Sequence, residues 1–338
     1  MHIFIRFGFG MRKNPPNSMS IGSWGVLMAD AANTDAVNAD VTNTGAKNTA
    51  AANADVSATA AEPRWRADYS HREIEETYAM LTALEEDAAG PDRHFGMWRG
   101  ADDRTPVEEA TRRLTDLVVG KLDAAAGRTV LDVGCGNGRP AVRIAETTGA
   151  SVVGVDIDRR ALAAAAAYAR SRRPGADVRF TYADALRLPF PDASFDAALA
   201  FESTPHFDVA RLYGALARVL RPGGRLVVET PYVRGRTTED LLDRIGPFLS
   251  MLNAVSLDPP HEHLAAARYA GLDITELVDI SPCVRGSFSR LLEELGALHG
   301  RLTERLGSRT ATRLLTAFAD WADAPQIGGV VMTFTRAS

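Results

Sequence analysis

Apolar and polar residues alternate with two different periodicities along the chain from Thr129 onward. Short apolar runs of strand length alternate with longer stretches in which apolar positions recur at helical intervals. The predicted strands cover residues 129–133, 151–156, 178–182, 195–201, 225–229, 273–280 and 330–335. The predicted helices cover residues 106–125, 158–172, 208–220, 237–250, 260–270, 284–306 and 309–322. Such alternation predicts parallel β-α-β units and hence an α/β fold with a doubly wound sheet.

The pattern changes after Tyr232, where helical segments begin to dominate. The strand predicted at 330–335 fits a final antiparallel partner, so we expect a seven-stranded, mostly parallel sheet. Between residues 67 and 338 the pattern predicts one domain made of three kinds of segment. They are a helical cap at 67–127, a core at 128–231, and helical lid insertions at 232–272 and 283–324.

The first 66 residues have a different composition. Asparagine recurs every five residues in part of this region, and no Leu, Ile, Phe or Met occurs between Ala29 and Ala61. Such a segment cannot bury enough apolar surface to offset the entropy of ordering it. We therefore predict a disordered, low-complexity tail over residues 1–66.

Composition and charge exclude several classes of partner. The net charge is -5, and the 38 basic residues are spread along the chain without forming a basic block, so nucleic acid is not expected. No run of 18 or more apolar residues predicts a membrane-spanning helix. The two cysteines, Cys135 and Cys283, are too few for a disulfide framework, which fits a reducing cytoplasm.

The most informative motif is V-L-D-V-G-C-G-N-G-R-P, which begins at Val130 and joins a strand to a helix. A dinucleotide fingerprint would require glycine at the position of Arg139, so the motif favours a different nucleoside ligand. We expect Asp132 to lie near a positively charged group of that ligand, such as an ammonium group. Glycine lets the backbone turn and lets a ligand approach the main chain at three alternate positions, Gly134, Gly136 and Gly138.

The next two strands also end in acidic residues, and parallel strand ends meet at one edge of the sheet. Asp156, followed by Ile157, is placed to accept both ribose hydroxyls, although a dinucleotide enzyme would have an acid there too. Asp184, followed by Ala185, is placed to accept the exocyclic amine of adenine. The alternative for Asp184 is a helix N-cap. The helix start beyond the glycines suits the carboxylate of an amino-acid ligand.

These motifs resemble those of class I S-adenosylmethionine-dependent methyltransferases. The resemblance spans about Ile74 to Arg336 and includes L-D-V-G-C-G-N-G, G-V-D-I-D, Y-A-D-A, L-P-F-P-D-A-S-F-D-A and L-R-P-G-G-R-L. It implies a Rossmann-like methyltransferase fold, S-adenosylmethionine as cofactor and S-adenosylhomocysteine as product. Within this class the chain is similar to bacterial small-molecule methyltransferases of antibiotic pathways, including enzymes that methylate a sugar or macrocycle hydroxyl. By that resemblance Tyr78 and Trp98 would contact the methionine end, although Trp98 can instead belong to the core.

The same resemblance suggests a reaction at oxygen, with two candidate catalytic residues. His206 is the candidate general base for an alcohol, since a neutral histidine near pH 7 suits that role. Related sugar enzymes often carry two adjacent histidines here and an acid after strand five, whereas this chain has Pro205 before His206 and Glu229 before Thr230. Glu202 offers an alternative route, methylation of a prenyl or alkene carbon with a carboxylate as base, and it is also a candidate cofactor ligand. N-methylation stays open.

Three further possibilities remain at this stage. No metal site is expected, because His261 and His263 are two positions apart, which on a helix do not share a face, and we expect a solvated turn there. A nicotinamide oxidoreductase and a cyclase that keeps the nucleoside pocket without transferring methyl are alternatives of different classes. The sequence leaves the oligomeric state open, a homodimer included.

Overall fold

The computed structural model describes residues 5–6, 94–100, 102–172, 177–297 and 299–338. The chain divides into one compact unit formed by residues 1–9 and 64–338 and another formed by residues 10–63. The second unit lies outside the described residues, as does most of the predicted tail. Disorder of the tail therefore stays a prediction.

The strands form one sheet in the order β1-β7-β8-β6-β5-β2-β3-β4, with β8 antiparallel to both neighbours and every other pairing parallel. Its seven longer strands confirm the predicted doubly wound, mostly parallel fold, and a two-residue strand is added at the edge. The strands are β1 (Ile5–Arg6), β2 (Thr129–Val133), β3 (Ser151–Asp156), β4 (Val178–Tyr182), β5 (Phe195–Phe201), β6 (Leu220–Val233), β7 (Leu272–Asp279) and β8 (Ile327–Arg336).

Ten α-helices lie in the described part of the chain. They are α1 (Val107–Val119), α2 (Arg139–Thr148), α3 (Arg159–Ser171), α4 (Val209–Val219), α5 (Glu239–Met251), α6 (Pro260–Tyr269), α7 (Ser281–Val284), α8 (Ser287–Ala297), α9 (His299–Leu306) and α10 (Ser308–Ala322). The single helix predicted at 284–306 is therefore wrong, because Arg285 and Gly286 separate α7 from α8 and a third helix begins at His299.

Strand β6 is longer than its predicted range of 225–229 because it continues through Pro231. Its pairing with β5 ends at Glu229, whereas its pairing with β8 continues to Val233. Proline lacks an N–H group and is tolerated where one side of a strand has no partner. The predicted range was too short at both ends, because the strand also begins earlier, at Leu220.

Both faces of the sheet are covered by helices. On one face, α4 and α6 contribute Leu212, Leu216 and Ala267 to a core that includes Met332 of the sheet. On the other face, α1 and α2 pack in the same way, with buried side chains that include Leu114, Val118, Ile144, Val227 and Val331. This two-sided burial explains why the central strands read as continuous apolar runs.

The helical lid has an apolar core of its own. Helices α5, α8, α9 and α10 meet around an aromatic group made of Phe248, Phe288, Phe318 and Trp321. Helix α6 falls in the predicted lid range but packs on the sheet beside α4. In the described segments, no helix combines the length and the apolar character needed to cross a bilayer.

Candidate active site

The glycine loop lies at the carboxyl end of β2, where the sheet order reverses between β2 and β5. Gly136 has φ +50°, and a Cβ there would meet no heavy atom within 4 Å. Gly138 has φ +76°, and a Cβ there would lie 2.5 Å from Phe180 Cζ. Glycine is thus required at 138 by packing as well as by conformation, whereas the space beside Gly136 is open to a ligand.

Asp132 lies at the bottom of this loop and is 2% exposed. Its Oδ2 has no hydrogen-bond partner among the described residues. Burial, followed by the charge of Asp156, raises the pKa of the Asp132 carboxyl to about 7. A buried carboxyl oxygen without a donor is a place where a ligand ammonium group would be stabilised.

Asp156 holds the loop from the end of β3. Its Oδ2 accepts a hydrogen bond from the Gly136 amide at 2.9 Å, and its Oδ1 accepts one from the Asp158 amide at 2.9 Å. Burial raises the pKa of Asp156, although these amides act in the opposite direction. The neighbouring Ile157 is half-buried. The carboxylate is thus oriented by the backbone before any ligand binds.

Asp184 follows β4 and caps the short 3-10 helix Ala185–Arg187, its Oδ1 accepting from the Leu186 amide at 2.8 Å. This is the capping interaction that the sequence left open as an alternative. Ala185 is buried beneath it. Capping one carboxylate oxygen orients Asp184 and is compatible with the predicted contact to adenine, which stays a prediction.

Glu202 stands directly after β5 in the left-handed conformation, with φ +47°. Its carboxylate accepts a hydrogen bond from the Phe95 amide, and its own amide donates to the Glu229 carbonyl at 2.9 Å. Burial raises the pKa of Glu202 to about 8, against the effect of the Phe95 amide. A non-glycine residue held at positive φ is strained backbone, and such residues occur at functional sites.

Glu229 of β6 is the acidic neighbour of Glu202. Its side chain is 0% exposed, and neither carboxyl oxygen has a hydrogen-bond partner in the described part of the chain. Burial, with the Glu202 charge as the second cause, holds the pKa of Glu229 well above its usual value. Two buried carboxyl groups without a compensating cation cannot both be ionised at low cost, so Glu229 carries the proton.

His206 ends the 3-10 helix Thr204–His206, which follows Glu202 and Ser203 after β5. Its Nδ1 lies 3.4 Å from the Asn253 carbonyl oxygen, and burial lowers its pKa. A carbonyl can only accept, so Nδ1 carries the hydrogen and Nε2 is the basic nitrogen of the neutral ring. The Val255 amide donates to the Pro205 carbonyl at 2.7 Å, which ties the loop after α5 to the His206 turn.

Trp98 is 2% exposed and belongs to a segment that we call the strap, residues His94–Trp98. Its indole N–H donates to the Thr105 carbonyl at 2.8 Å, and the Arg290 guanidinium lies 4.6 Å from its ring. These contacts favour the packing interpretation of Trp98. Tyr78 lies outside the described residues, so its predicted role is unchanged.

The expectation of a solvated turn around His261 and His263 is wrong for one of the two residues. His263 is 1% exposed, and its Nδ1 lies 3.0 Å from the Tyr213 hydroxyl. Burial lowers the pKa of His263 to about 4. The first turn of α6 places His263 on the sheet side, whereas His261 stays exposed. Within the described ranges, no group of three or more His, Cys, Asp or Glu side chains is placed to hold a metal ion.

Comparison with known proteins agrees with this geometry. A family profile described as "Methyltransferase domain" matches residues 130–224, which include the glycine loop and the ends of β3, β4 and β5. Methyltransferase GfsG of Streptomyces halstedii is 35% identical over 267 residues, covering 79% of this chain and 95% of the relative. The chain belongs to the S-adenosylmethionine-dependent methyltransferases.

Two further similarities extend this result. The methyltransferase is 34% identical to 27-O-demethylrifamycin SV methyltransferase of Amycolatopsis mediterranei, over 77% of this chain and 96% of that one. Among solved structures, the [4+2]-cyclase SpnF matches with a TM-score of 0.71 and 30% identity, covering 80% of this chain and 97% of that chain. The nicotinamide oxidoreductase alternative is therefore excluded.

The site fits the cofactor of this family. The orphaned Asp132 oxygen suits the ammonium group, and the open space beside Gly136 admits the ligand. Helix α2 begins without a side-chain cap and with no acidic residue in its first turn, so its amides suit a carboxylate. The methyltransferase uses S-adenosylmethionine, and the residue-by-residue assignment stays a prediction.

Sequence reasoning missed several residues of the site. Ser203 lies where a Cβ on Gly134 would come within 2.6 Å of its Cβ, and its buried hydroxyl has no partner among the described residues. Asn253 and Phe95 reach His206 and Glu202 from distant parts of the chain. Glu229 was visible in the sequence as an acid beside Thr230, but nothing in the spacing indicated the long-range partners.

Proposed function

We propose that this methyltransferase methylates a hydroxyl group of a small-molecule natural product. The observation that carries the proposal is the His206 ring, neutral near pH 7 because burial lowers its pKa and oriented by the Asn253 carbonyl. Such a ring can accept a proton from an alcohol through Nε2. The name of the rifamycin relative, which refers to an O-demethyl substrate, supports the choice of oxygen.

The carboxyl ends of β2, β3 and β4 would hold the cofactor. Asp156 would accept from the ribose hydroxyls, Asp184 would face the adenine, and Asp132 would face the ammonium group. When bound, S-adenosylmethionine supplies an electrophilic methyl group on a sulfonium centre. The protein would hold the acceptor in line with the methyl group and exclude water. These two effects account for much of the rate enhancement of an in-line displacement.

His206 would act on the acceptor. As the acceptor oxygen gains the methyl group, its hydroxyl hydrogen passes to Nε2 of His206, while Nδ1–H stays directed at the Asn253 carbonyl. This arrangement uses the histidine in its neutral form, which burial favours. The Val255 and Ser256 amides both donate to the Pro205 carbonyl, so the turn that carries the base has little freedom.

Glu202 is less suited to the alternative of carbon methylation. A base for a prenyl or alkene carbon needs a carboxylate that can approach the substrate, whereas the Glu202 carboxylate binds the Phe95 amide of the strap. We infer that Glu202 has an organising role beside the cofactor. Methylation at carbon or nitrogen becomes an outcome of the test below.

The lid that would cover the acceptor has a packed aromatic core. It is built from four aromatic side chains with ring centroids 4.6 to 5.8 Å apart, and Phe288 of this group also contacts Phe95 at 5.5 Å. These rings pack against one another, so they stabilise the lid and do not by themselves define the acceptor. The choice of acceptors to test therefore follows from the rifamycin relative.

The test uses the purified full chain, S-adenosylmethionine with a carbon-13 methyl group, and a panel of hydroxylated macrocycles and aglycones. We expect a product heavier by one methyl in place of hydrogen, with a carbon-13 signal in the O-methyl range. A C-methyl or N-methyl signal would contradict the assignment to oxygen. Failure of S-adenosylhomocysteine to bind in a calorimeter would contradict the cofactor site itself.

A second candidate function is a cyclase that retains the cofactor pocket, and the 30% identity to SpnF over most of the chain favours it. Ring closure by [4+2] addition requires no group transfer and no general base. If the chain closed a polyene substrate without consuming S-adenosylmethionine, and if His206→Ala left that rate unchanged, the cyclase would replace the transferase.

We infer a small-molecule acceptor without nucleic-acid or membrane partners, because arginine is distributed and the net charge is -5. Cys135 and Cys283 are both free thiols, which supports a reducing, cytoplasmic location. A homodimer remains a proposal that size-exclusion chromatography with light scattering would test.

A further inference from the structure

The strap, residues His94–Trp98, contacts the end of the sheet on one side. The Phe95 amide donates to the Glu202 carboxylate, and the His94 ring stacks on Phe201 with ring centroids 4.2 Å apart and an interplanar angle of 26°. Glu202 is followed by Ser203, which packs against Gly134 of the glycine loop. The strap is thereby connected to the cofactor site through two consecutive residues of the β5 end.

On its other side the strap contacts lid helix α8. A single hydroxyl, that of Ser287, binds both polar groups of one strap residue: it donates to the Gly96 carbonyl and accepts from the Gly96 amide, each at 3.0 Å. Ser287 is 8% exposed, so these bonds are shielded from water. The Phe95 and Phe288 rings add an edge-to-face contact with centroids 5.5 Å apart.

The connection between the two sides is short and stiff. A Cβ at Gly96 would collide with the Trp98 ring, so the strap backbone is packed without free space at that residue. The Trp98 amide donates to the Cys283 carbonyl at 2.8 Å, and the Met97 amide donates to the Ala110 carbonyl at 2.9 Å. A displacement of the strap must therefore move the amino-terminal end of α8 or break these bonds.

We propose that Ser287 is a positioning residue that couples the lid to the cofactor site through the strap. Gly134, Ser203, Glu202, Phe95, Gly96 and Ser287 form an unbroken series of contacts between the two. The inference rests on the proposed function, because it assumes that the glycine loop holds the cofactor. Cofactor binding would then order α8 before the acceptor enters, which lowers the entropy cost of forming the acceptor site.

The physical basis of the coupling is the loss of motion at shared contacts. A bound cofactor restrains the glycine loop and Ser203, and with them the Glu202 carboxylate that binds Phe95. The strap passes this restraint to α8 only through contacts to the lid, among which Ser287 supplies two of the hydrogen bonds. Removing the hydroxyl leaves the Phe95–Phe288 contact and the Arg290 guanidinium over the Trp98 ring, but it takes away the two hydrogen bonds that fix the strap backbone to α8.

The test is amide hydrogen exchange of the full chain, read by mass spectrometry with and without S-adenosylhomocysteine. In the unmodified protein we expect the ligand to slow exchange in the glycine loop, in residues 94–98 and in residues 287–297, by about fivefold in the last segment. In Ser287→Ala we expect the same slowing in the glycine loop and none in residues 287–297. Calorimetry should give an S-adenosylhomocysteine affinity within about threefold of the unmodified protein.

Thr303→Val is the matched control, because Thr303 is a lid residue whose buried hydroxyl has no partner among the described residues. It should leave the slowing in residues 287–297 unchanged. Normal slowing there in Ser287→Ala, or its loss in Thr303→Val, would overturn the proposal. Slower exchange confined to the glycine loop of the unmodified protein would also overturn the proposal, although the proposed cofactor site would stand. No protection of the glycine loop would overturn the proposed function as well.

Discussion

The site has two halves, one at the ends of β3 and β4 and one beside β5 and β6, and their acidic groups differ in their hydrogen-bond partners. At the ends of β3 and β4, Asp156 and Asp184 each accept hydrogen bonds from backbone amides within a few residues of chain or one strand away. Where the pairing of β5 with β6 ends, the Glu202 carboxylate binds an amide 107 residues away, and the Glu229 carboxyl has no partner among the described residues. The first half is assembled before ligand binds, whereas the second depends on the strap and the lid.

This difference in hydrogen-bond partners indicates that the first half serves cofactor binding and the second half serves the reaction. Hydrogen bonds from backbone amides keep the carboxylates of the first half oriented, which suits repeated recognition of one invariant cofactor. Glu202, Glu229 and His206 are shifted by burial instead, which raises the pKa of each acid and lowers the pKa of the histidine. We therefore expect substitutions in the first half to alter cofactor affinity and substitutions in the second to alter turnover, stability and their pH dependence.

The largest expected effect is that of Asp156→Ala. The variant loses the proposed ribose contacts and the bond that orients the Gly136 amide, together about 3 kcal/mol of binding free energy or more than a hundredfold in affinity. Calorimetric titration with S-adenosylhomocysteine measures this loss. Unchanged affinity would contradict the assignment of the β3 end to the ribose.

His206→Ala should lower turnover about a hundredfold while leaving cofactor affinity within about twofold. Because burial lowers the pKa of His206, the ring stays neutral to a lower pH than usual, and activity should fall only as pH drops below the ordinary histidine range. Initial rates of methyl transfer between pH 5 and 9 measure both effects. A variant with the unmodified rate would remove His206 as the base.

Glu229→Gln should raise the free energy of unfolding at pH 8 by about 2 kcal/mol. The raised pKa of Glu229 means that the folded chain keeps a proton which the unfolded chain releases above the ordinary glutamate pKa of 4.5. Stability from this group is therefore lost as pH rises, and glutamine removes that loss. Urea unfolding at pH 8 and at pH 5, where the gain should shrink, tests the sign.

The smallest expected change in stability is that of Gly136→Ala, and Gly138→Ala in the same loop is its matched comparison. Gly136→Ala should cost about 1 kcal/mol, from the left-handed conformation alone, yet weaken cofactor binding because the methyl group enters the ligand space. Gly138→Ala adds overpacking against Phe180 and Ala165, about 1 to 3 kcal/mol more. Thermal unfolding and calorimetry on both variants distinguish them. Equal stability losses would show that the space beside Gly136 is not open.

The sequence was a better guide to the first half than to the second. The strand ends at Val133, Asp156, Tyr182 and also Phe201 were predicted at the observed residues, because short apolar runs between glycines and acids leave little freedom in a parallel sheet. The carboxyl-terminal boundary of β6 was missed because a proline is tolerated in a strand only where the pairing on one side has already ended, and the sequence does not show where that pairing ends. The burial of His263 was missed because a turn rich in charge gave no indication of the Tyr213 hydroxyl.

The sequence alone determined the α/β sheet, the glycine loop and the row of acidic strand ends, because these depend on local periodicity and on residues close together in the chain. Only the tertiary structure decided how the Glu202 carboxylate, the His206 ring and the Ser287 hydroxyl are used. Each of these groups has a partner from a distant segment, at Phe95, Asn253 and Gly96. Such contacts leave no spacing signal in a single chain, because their geometry exists only after the sheet, the strap and the lid have packed.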